Sequence, residues 1–397
     1  MARSHKALIN PILLKWARDK AGYSVADVAK KMGKAEDIIL KWESGAKSPT
    51  ISQTRKLADI YKRPLAVFFL SEVPMDFSVL KDFRRLPLGM EPSFSPELRL
   101  LMRQAQNHQE WVEDYYAAKK YRKLKFIGSA SINIPSLSLA EKIRKVLGIP
   151  LNFYKTLPSK PDALRIWIEK IEQAGIFVFQ SGKVAPTEAR GFAVSSQRAP
   201  FIFLNSKDPA SARIFTLLHE VVHIWINETG VSNLMPVFAG QRQVDKIEVF
   251  CNKTAGEILV PSKLLKDIWL PEEAKHNFKQ HLSTVADLFK VSREVIARRL
   301  LTSKFINQEK YLEIREFLIK EWDTIQKKRK SAPGGPPYAR MVILNNGKSF
   351  SSLVLSTYIN GEITGRDISD LLNVNLKNIP KIVSELGIPD LSSGLTA

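Results

Sequence analysis

Phe215-Thr-Leu-Leu-His-Glu-Val-Val-His-Ile-Trp-Ile-Asn227 is the stretch from which the rest of the chain is read. Within it, His219-Glu220-x-x-His223 places two imidazoles at i and i+4. On a helix these positions share a face, so both rings can aim a nitrogen at one metal ion. Glu220 follows the first of them, near enough to take a proton from water at the metal yet angled away from the metal itself. Ile214, Phe215, Leu217, Leu218, Val221, Val222, Ile224, Trp225 and Ile226 are apolar on every side, the pattern of a helix buried in a core. Two histidines on such a helix can equally be hydrogen-bonded core residues, and a third ligand of the right type separates the readings.

Glu248 is the candidate for that ligand. It lies in the run Ile247 to Pro261, which reads as a helix that the proline ends. The segment from 224 to 247 is long enough for a loop and a return. Three protein ligands leave one coordination position open, the mark of a catalytic zinc site rather than a structural one. The same donors also accept manganese or iron.

These residues carry a resemblance. Phe215-Thr-Leu-Leu-His219-Glu220-Val-Val-His223, followed by Glu248-x-x-x-Asn252-x-x-Ala255-x-x-Ile258-Leu259-x-Pro261, resembles the ImmA/IrrE family of bacterial metallopeptidases. The resemblance implies a zincin-like α+β domain of the gluzincin type, with Zn2+ held by His219, His223 and Glu248 and with Glu220 as general base. It also implies a protein substrate, a DNA-binding repressor whose cleavage derepresses stress-response or mobile-element genes. The family usually has Gly where this chain has Val222, and a β-branched side chain there is expected to crowd an approaching substrate.

At 397 residues the chain has room for two or three domains. Lys and Arg number 60 against 40 Asp and Glu, and the net charge of +20 favours a polyanionic partner, nucleic acid ahead of an anionic membrane surface. The single cysteine, Cys251, rules out an internal disulfide and fits a reducing compartment. Three residues after Glu248 it can face the metal, but in an apolar run it reads as a small core residue. The N-terminus has no signal-peptide core and no apolar run reaches transmembrane length. The expectation is a cytoplasmic protein without a membrane partner.

Residues 7–70 read as five short helices: Ile9 to Lys20, one capped by Ser24, Ala35 to Glu43, Ile51 to Tyr61 and Pro64 to Leu70. A helix, the Gly33 turn and a second helix form the arrangement that places a recognition helix in the major groove. Trp42-Glu43-x-Gly45-x-x-x-Pro49 with Leu57-Ala58-x-x-Tyr61-Lys62-Arg63-Pro64-Leu65-Ala66 resembles the phage-repressor-like (XRE) helix-turn-helix. Glu36, Asp37 and Lys41 would face the groove, with Lys31, Lys34 and Lys47 near phosphates. The two carboxylates are repelled by phosphates unless they accept from cytosine N4. Val25 stands where the family often has Gln for a phosphate contact.

Further along, 71–93, with Pro74, Pro87 and Pro92, reads as a linker, and Phe94 to Lys125 as one long helix ending in a basic-aromatic run. That run is read as a solvated face with its rings turned inward. Helices at Ser136–Leu147 and Pro161–Ala174 precede strands at Ile176–Gln180, Gly191–Ser195 and Pro200–Asn205. An edge strand beside the metal is expected to pair with an extended substrate. Leu282 to Leu301 mimics a second helix-turn-helix, although similar residues in the family close the peptidase domain. After the helix Glu309–Lys330, Ser331 to Pro337 marks a boundary. Tyr338–Leu344 then reads as a strand, Asn346-Gly347 as a turn and the remainder as three short helices.

The expected architecture is multidomain α+β. A helix-turn-helix occupies 1–72, a linker and long helix 73–135, the peptidase domain 136–330 and a small helical module 338–397. The expected activity is a zinc-dependent endopeptidase whose N-terminal module binds DNA. The alternative is an XRE-type transcriptional regulator or antitoxin-like DNA binder that uses the peptidase fold as a sensor. Either reading leaves a homodimer open.

Overall fold

The structure is a computed structural model and describes residues 6–74, 81–82, 94–232, 243–328 and 335–387. The chain divides into two compact units, Met1–Leu80 with Leu86–Asn107, and Lys81–Arg85 with His108–Ala397.

The first unit is helical because its sequence supplies start and stop signals at short intervals. Helix α1 (Pro11–Ala21) opens on Asn10, whose side chain accepts from the Ile12 amide, and closes at Gly22 with φ 77°. Helix α2 (Val25–Met32) has a capping box between Ser24 and Asp27, and Gly33 turns the chain into α3 (Glu36–Glu43). Helix α4 (Ile51–Tyr61) has a second capping box, Thr50 with Gln53. These reciprocal pairs satisfy backbone N–H groups that a helix start leaves without partners. Leu13, Leu14, Val28, Ile39, Trp42, Leu57, Tyr61 and Phe68 bury the apolar stripes in one core. Arg18 ties α1 to α3 through a two-pronged bond to Glu43, at 2.7 and 3.0 Å.

Helix α5 (Pro96–Ala118) is shorter than its sequence suggests. Lys120 is left-handed at φ 58°, so the helix ends there and the Tyr121 amide returns to the Tyr116 carbonyl. The Tyr116 ring packs on Tyr121 and Phe177, at centroid distances of 4.6 and 6.3 Å. The basic-aromatic run is therefore a turn with packed rings rather than one helical face.

The second unit is built on a sheet of order β1-β5-β3-β4-β2. Its strands are β1 (Lys81–Asp82), β2 (Phe177–Ser181), β3 (Gly191–Val194), β4 (Phe201–Asn205) and β5 (Gly230–Ser232). β2 runs parallel to β4, β3 antiparallel to β4 and β5, and β1 parallel to β5. β1 arises within the expected linker, whose Pro87 and Pro92 lie outside the described residues. Helices α7 (Lys160–Gln173) and α8 (Ala210–Trp225) pack on the sheet, α9 (Gln243–Leu259) packs on α8, and α6 (Ser136–Val146) packs on α9. Leu139, Ile143, Trp167, Leu217, Val221 and Ile258 lie in their common core. Covered in this way, Phe201 to Leu204 can be apolar at every position, unlike a strand with one wet face.

Helices α10 (Ser262–Ile268), α11 (Pro271–Leu288), α12 (Arg293–Thr302) and α13 (Gln308–Lys328) follow. Val285, Phe289, Val295, Ile296 and Leu300 all join the main core. The helix-turn-helix-like run 282–301 is thus spent on packing, the role that the family resemblance implies for it. The expected boundary residues 331–334 lie outside the described residues.

The strand expected at Tyr338–Leu344 is a helix, α14 (Tyr338–Asn346). Ala339, Val342 and Asn346 are its buried positions, a spacing of three and four that the local Met-Val-Ile-Leu run concealed. Asn346-Gly347 is the junction to α15 (Lys348–Ile359), not a hairpin turn. Gly347 is required there: its φ is +86°, and a Cβ would lie 2.4 Å from the Val178 carbonyl oxygen on β2. Helices α16 (Gly365–Leu372) and α17 (Ile379–Leu386) complete the unit. α14 and α15 lie against β2, the edge strand at the end opposite β1. His108 stacks on Phe350 at 4.1 Å and its Nε2 meets the Leu371 carbonyl at 2.9 Å. No helix among the described residues is long and apolar enough to cross a membrane.

Candidate metal centre

Helix α8 is buried at every residue from Ile214 to its end at Trp225. His219 and His223 lie one turn apart on its face towards α9, which brings Glu248 to meet them. The two histidine Nε2 atoms are 3.0 Å apart. Glu248 Oε2 is 3.4 Å from His219 Nε2, and its Oε1 is 3.2 Å from His223 Nε2. Among the described residues these three form the group of His, Cys, Asp and Glu side chains that could hold a metal ion.

The spacing fits a tetrahedral metal. Bonds of about 2.0–2.1 Å at tetrahedral angles separate ligand atoms by about 3.3–3.4 Å; the facing donor atoms here lie 3.0–3.4 Å apart, with Glu248 turning one oxygen to each histidine. The charges agree. Burial works against ionising Glu248, but facing His219 and then His223 holds its carboxyl down at about 2. Burial pushes His219 down, outweighing the pull of Glu248. At His223 burial also opposes a charge, while Cys251 and Glu248 favour one. Since burial pushes the Cys251 thiol up, that thiol is neutral and Glu248 supplies the charge. The balance raises His223 well above the usual imidazole range, so the site pairs an ionised carboxylate and a neutral His219 with a protonated His223, whose proton a bound metal would displace. Cys251 itself is fully buried in the main core and is not one of the three donors.

Glu220 is fully buried beside β3. A Cβ added to Gly191 of β3 would lie 3.1 Å from Glu220 Oε1 and 2.5 Å from Thr216 Cγ2, so the missing side chain lets α8 approach the strand. β3, the strand beside Glu220, is an inner strand of the sheet. After α8 the chain returns as β5 and takes the side of β3 left open by β4. Val222 is buried in the main core; its bulk is spent on packing rather than on narrowing the approach.

Asn252 and Phe215 belong to the centre although the sequence marks neither as chemical. Asn252 lies one turn after Glu248, with its buried side chain against His219. Phe215 lies one turn before His219, with ring centroids 6.5 Å apart. Neither residue type announces itself in a sequence; only the fold shows what they touch.

In the first unit, Lys34, Glu36, Asp37, Lys41 and Lys47 are all exposed. Lys41 Nζ donates to Asp37 at 2.8 Å, an i,i+4 pair on α3. That bond holds the exposed Asp37 carboxyl below its usual range. Val25 is half-buried against the helical core.

Comparison with known families agrees with the two units. The IrrE N-terminal-like domain of the M78 peptidases matches residues 171–301, which contain α8, α9, α12 and every residue of the metal centre. The helix-turn-helix family matches residues 14–68. No curated protein matches the sequence. The chain therefore joins an XRE-type helix-turn-helix to an IrrE/ImmA-like domain of the M78 peptidase family.

Proposed function

We propose that the chain is a zinc-dependent endopeptidase that cleaves a repressor-type DNA-binding protein. The observation that carries this reading is the buried group of His219, His223 and Glu248, whose facing donor atoms lie 3.0–3.4 Å apart. These three residues would hold the metal. Zinc, when bound, supplies the Lewis acidity that makes water a nucleophile at neutral pH. Glu220 accepts a proton from the attacking water on its carboxylate and returns it to the leaving amide nitrogen. Gly191 keeps Thr216 and Glu220 close to β3. The N-terminal unit would bring the peptidase to DNA through Lys34, Glu36, Asp37, Lys41 and Lys47, or to a repressor already bound there.

The test is incubation of the zinc-loaded chain, and of its Glu220→Gln variant, with a panel of helix-turn-helix repressors, with products identified by mass spectrometry. A defined cut by the wild type alone supports the proposal. A second reading, a transcriptional regulator that senses metal and cuts little, is favoured by the near-complete burial of the centre and by the occupied edge of β3. Under it, Glu220→Gln leaves the control of reporter transcription unchanged.

A further inference from the structure

The last helices of the chain repeat the helix-turn-helix of the first unit. Helices α2 and α16 each span eight residues, and each opens on a capping box, Ser24 with Asp27 and Thr364 with Asp367. Each ends on a left-handed residue, Gly33 at φ 65° and ψ 44° and Asn373 at φ 52° and ψ 51°. Val28 and Met32 are the buried positions of one, Ile368 and Leu372 those of the other. After the turn, Ile39 and Trp42 of α3 correspond to Ile379 and Ile382 of α17, and all four are buried. Helix α15 precedes this pair and packs on it, burying Phe350 and Val354 as α1 buries Leu13 and Ala17.

Such a shape can be spent on packing, as in the run 282–301, where no residue of α12 from Arg293 to Leu301 is exposed. The C-terminal pair differs. Leu376 and Lys377, on the short 3-10 helix Leu376–Asn378, and Pro380, Lys381 and Ser384 on α17 are all exposed. The start of a recognition helix is the part that meets base edges in the major groove. Where α3 offers Glu36 and Asp37, this element offers Leu376 and Lys377, with no carboxylate before Glu385. Lysine donates to guanine O6 and N7, and an apolar side chain suits the thymine methyl.

Cations lie beside it. Lys119, just after α5, pairs at 3.0 Å with Glu362, just before the Thr364 cap of α16. The turn that follows is pinned: the Leu124 amide donates to the Gln197 carbonyl at 2.8 Å, and Arg198 Nε to the Tyr121 carbonyl at 3.1 Å. It displays Lys120, Arg122, Lys123 and Lys125, all exposed, and none meets a carboxylate among the described residues. The helix before a recognition helix crosses the DNA backbone, so cations near the start of α16 suit phosphates.

We propose that α16 and α17 form a second DNA-binding helix-turn-helix. α17 and the 3-10 helix before it enter the major groove, and the turn 119–125 holds phosphates. The proposal does not depend on the peptidase reading.

Fluorescence anisotropy of the full-length chain on a labelled random-sequence duplex tests it. Lys377→Glu/Lys381→Glu is expected to weaken binding by about tenfold or more. Lys142→Glu/Lys145→Glu, an equal charge change on α6, is expected to leave it unchanged. Lys120→Ala/Arg122→Ala/Lys123→Ala should lower the log–log salt slope by about 3, one for each phosphate contact. All these positions are exposed, so thermal melting should match the wild type. An α17 variant that binds like the α6 control, or a turn variant with an unchanged slope, overturns the proposal. So does a loss confined to binding of phosphatidylserine vesicles, which would assign this face to an anionic membrane.

Discussion

Gly191 shows how much of the site depends on a side chain that is missing. Gly191→Ala would place a methyl against Thr216 and Glu220, moving the base and leaving the ligands in place. Zinc content should match the wild type, while the rate of repressor cleavage should fall by about 10²-fold, the cost of a misplaced catalytic group. An unchanged rate would show that β3 does not set the position of Glu220. Glu220→Gln should cost about 10²–10⁴-fold, the usual contribution of a general base, again with zinc retained. The HExxH histidines and Glu248 are legible in the sequence because helical spacing and donor type do not depend on the rest of the fold. Gly191, Asn252 and Phe215 are not. Their importance lies in what tertiary packing sets beside them.

At the scale of elements, the C-terminal helices meet the sheet through a buried carboxyl. Burial raises Glu172 on α7 to about 7, against the pull of the Ser349 amide and hydroxyl at the start of α15. Its folded pKa lies above its unfolded value, so the fold binds this proton more tightly than the unfolded chain. Its contribution is complete below pH 4.5, the ordinary value, shrinks as pH rises and is lost above about 7. The shift is worth about 3 kcal/mol. Denaturant unfolding of the wild type and Glu172→Gln should therefore diverge by about that amount between pH 4.5 and 8, with the wild type losing ground. Parallel curves would mean that Glu172 is not buried as described. The helix signals of the first unit were readable because capping boxes and Gly33 act locally. Tyr338–Leu344 misled because a β-branched run fits a strand, while the burial of Ala339, Val342 and Asn346, which makes it a helix, comes from the rest of the unit.

For the whole molecule, the net charge of +20 bears on partners rather than on fold. DNA binding by the N-terminal unit should weaken steeply with salt, and Lys34→Ala or Lys47→Ala should each lower the log–log slope by about 1. Fluorescence anisotropy on a short duplex at several salt concentrations measures this; an unchanged slope in both variants would place those lysines away from phosphates. The central claim concerns the metal, and its most direct test is the zinc content of the purified full-length chain beside His223→Ala. The account predicts close to one zinc per chain in the wild type and its loss in the variant. No zinc in either protein after zinc is supplied, or equal zinc in both, would contradict it.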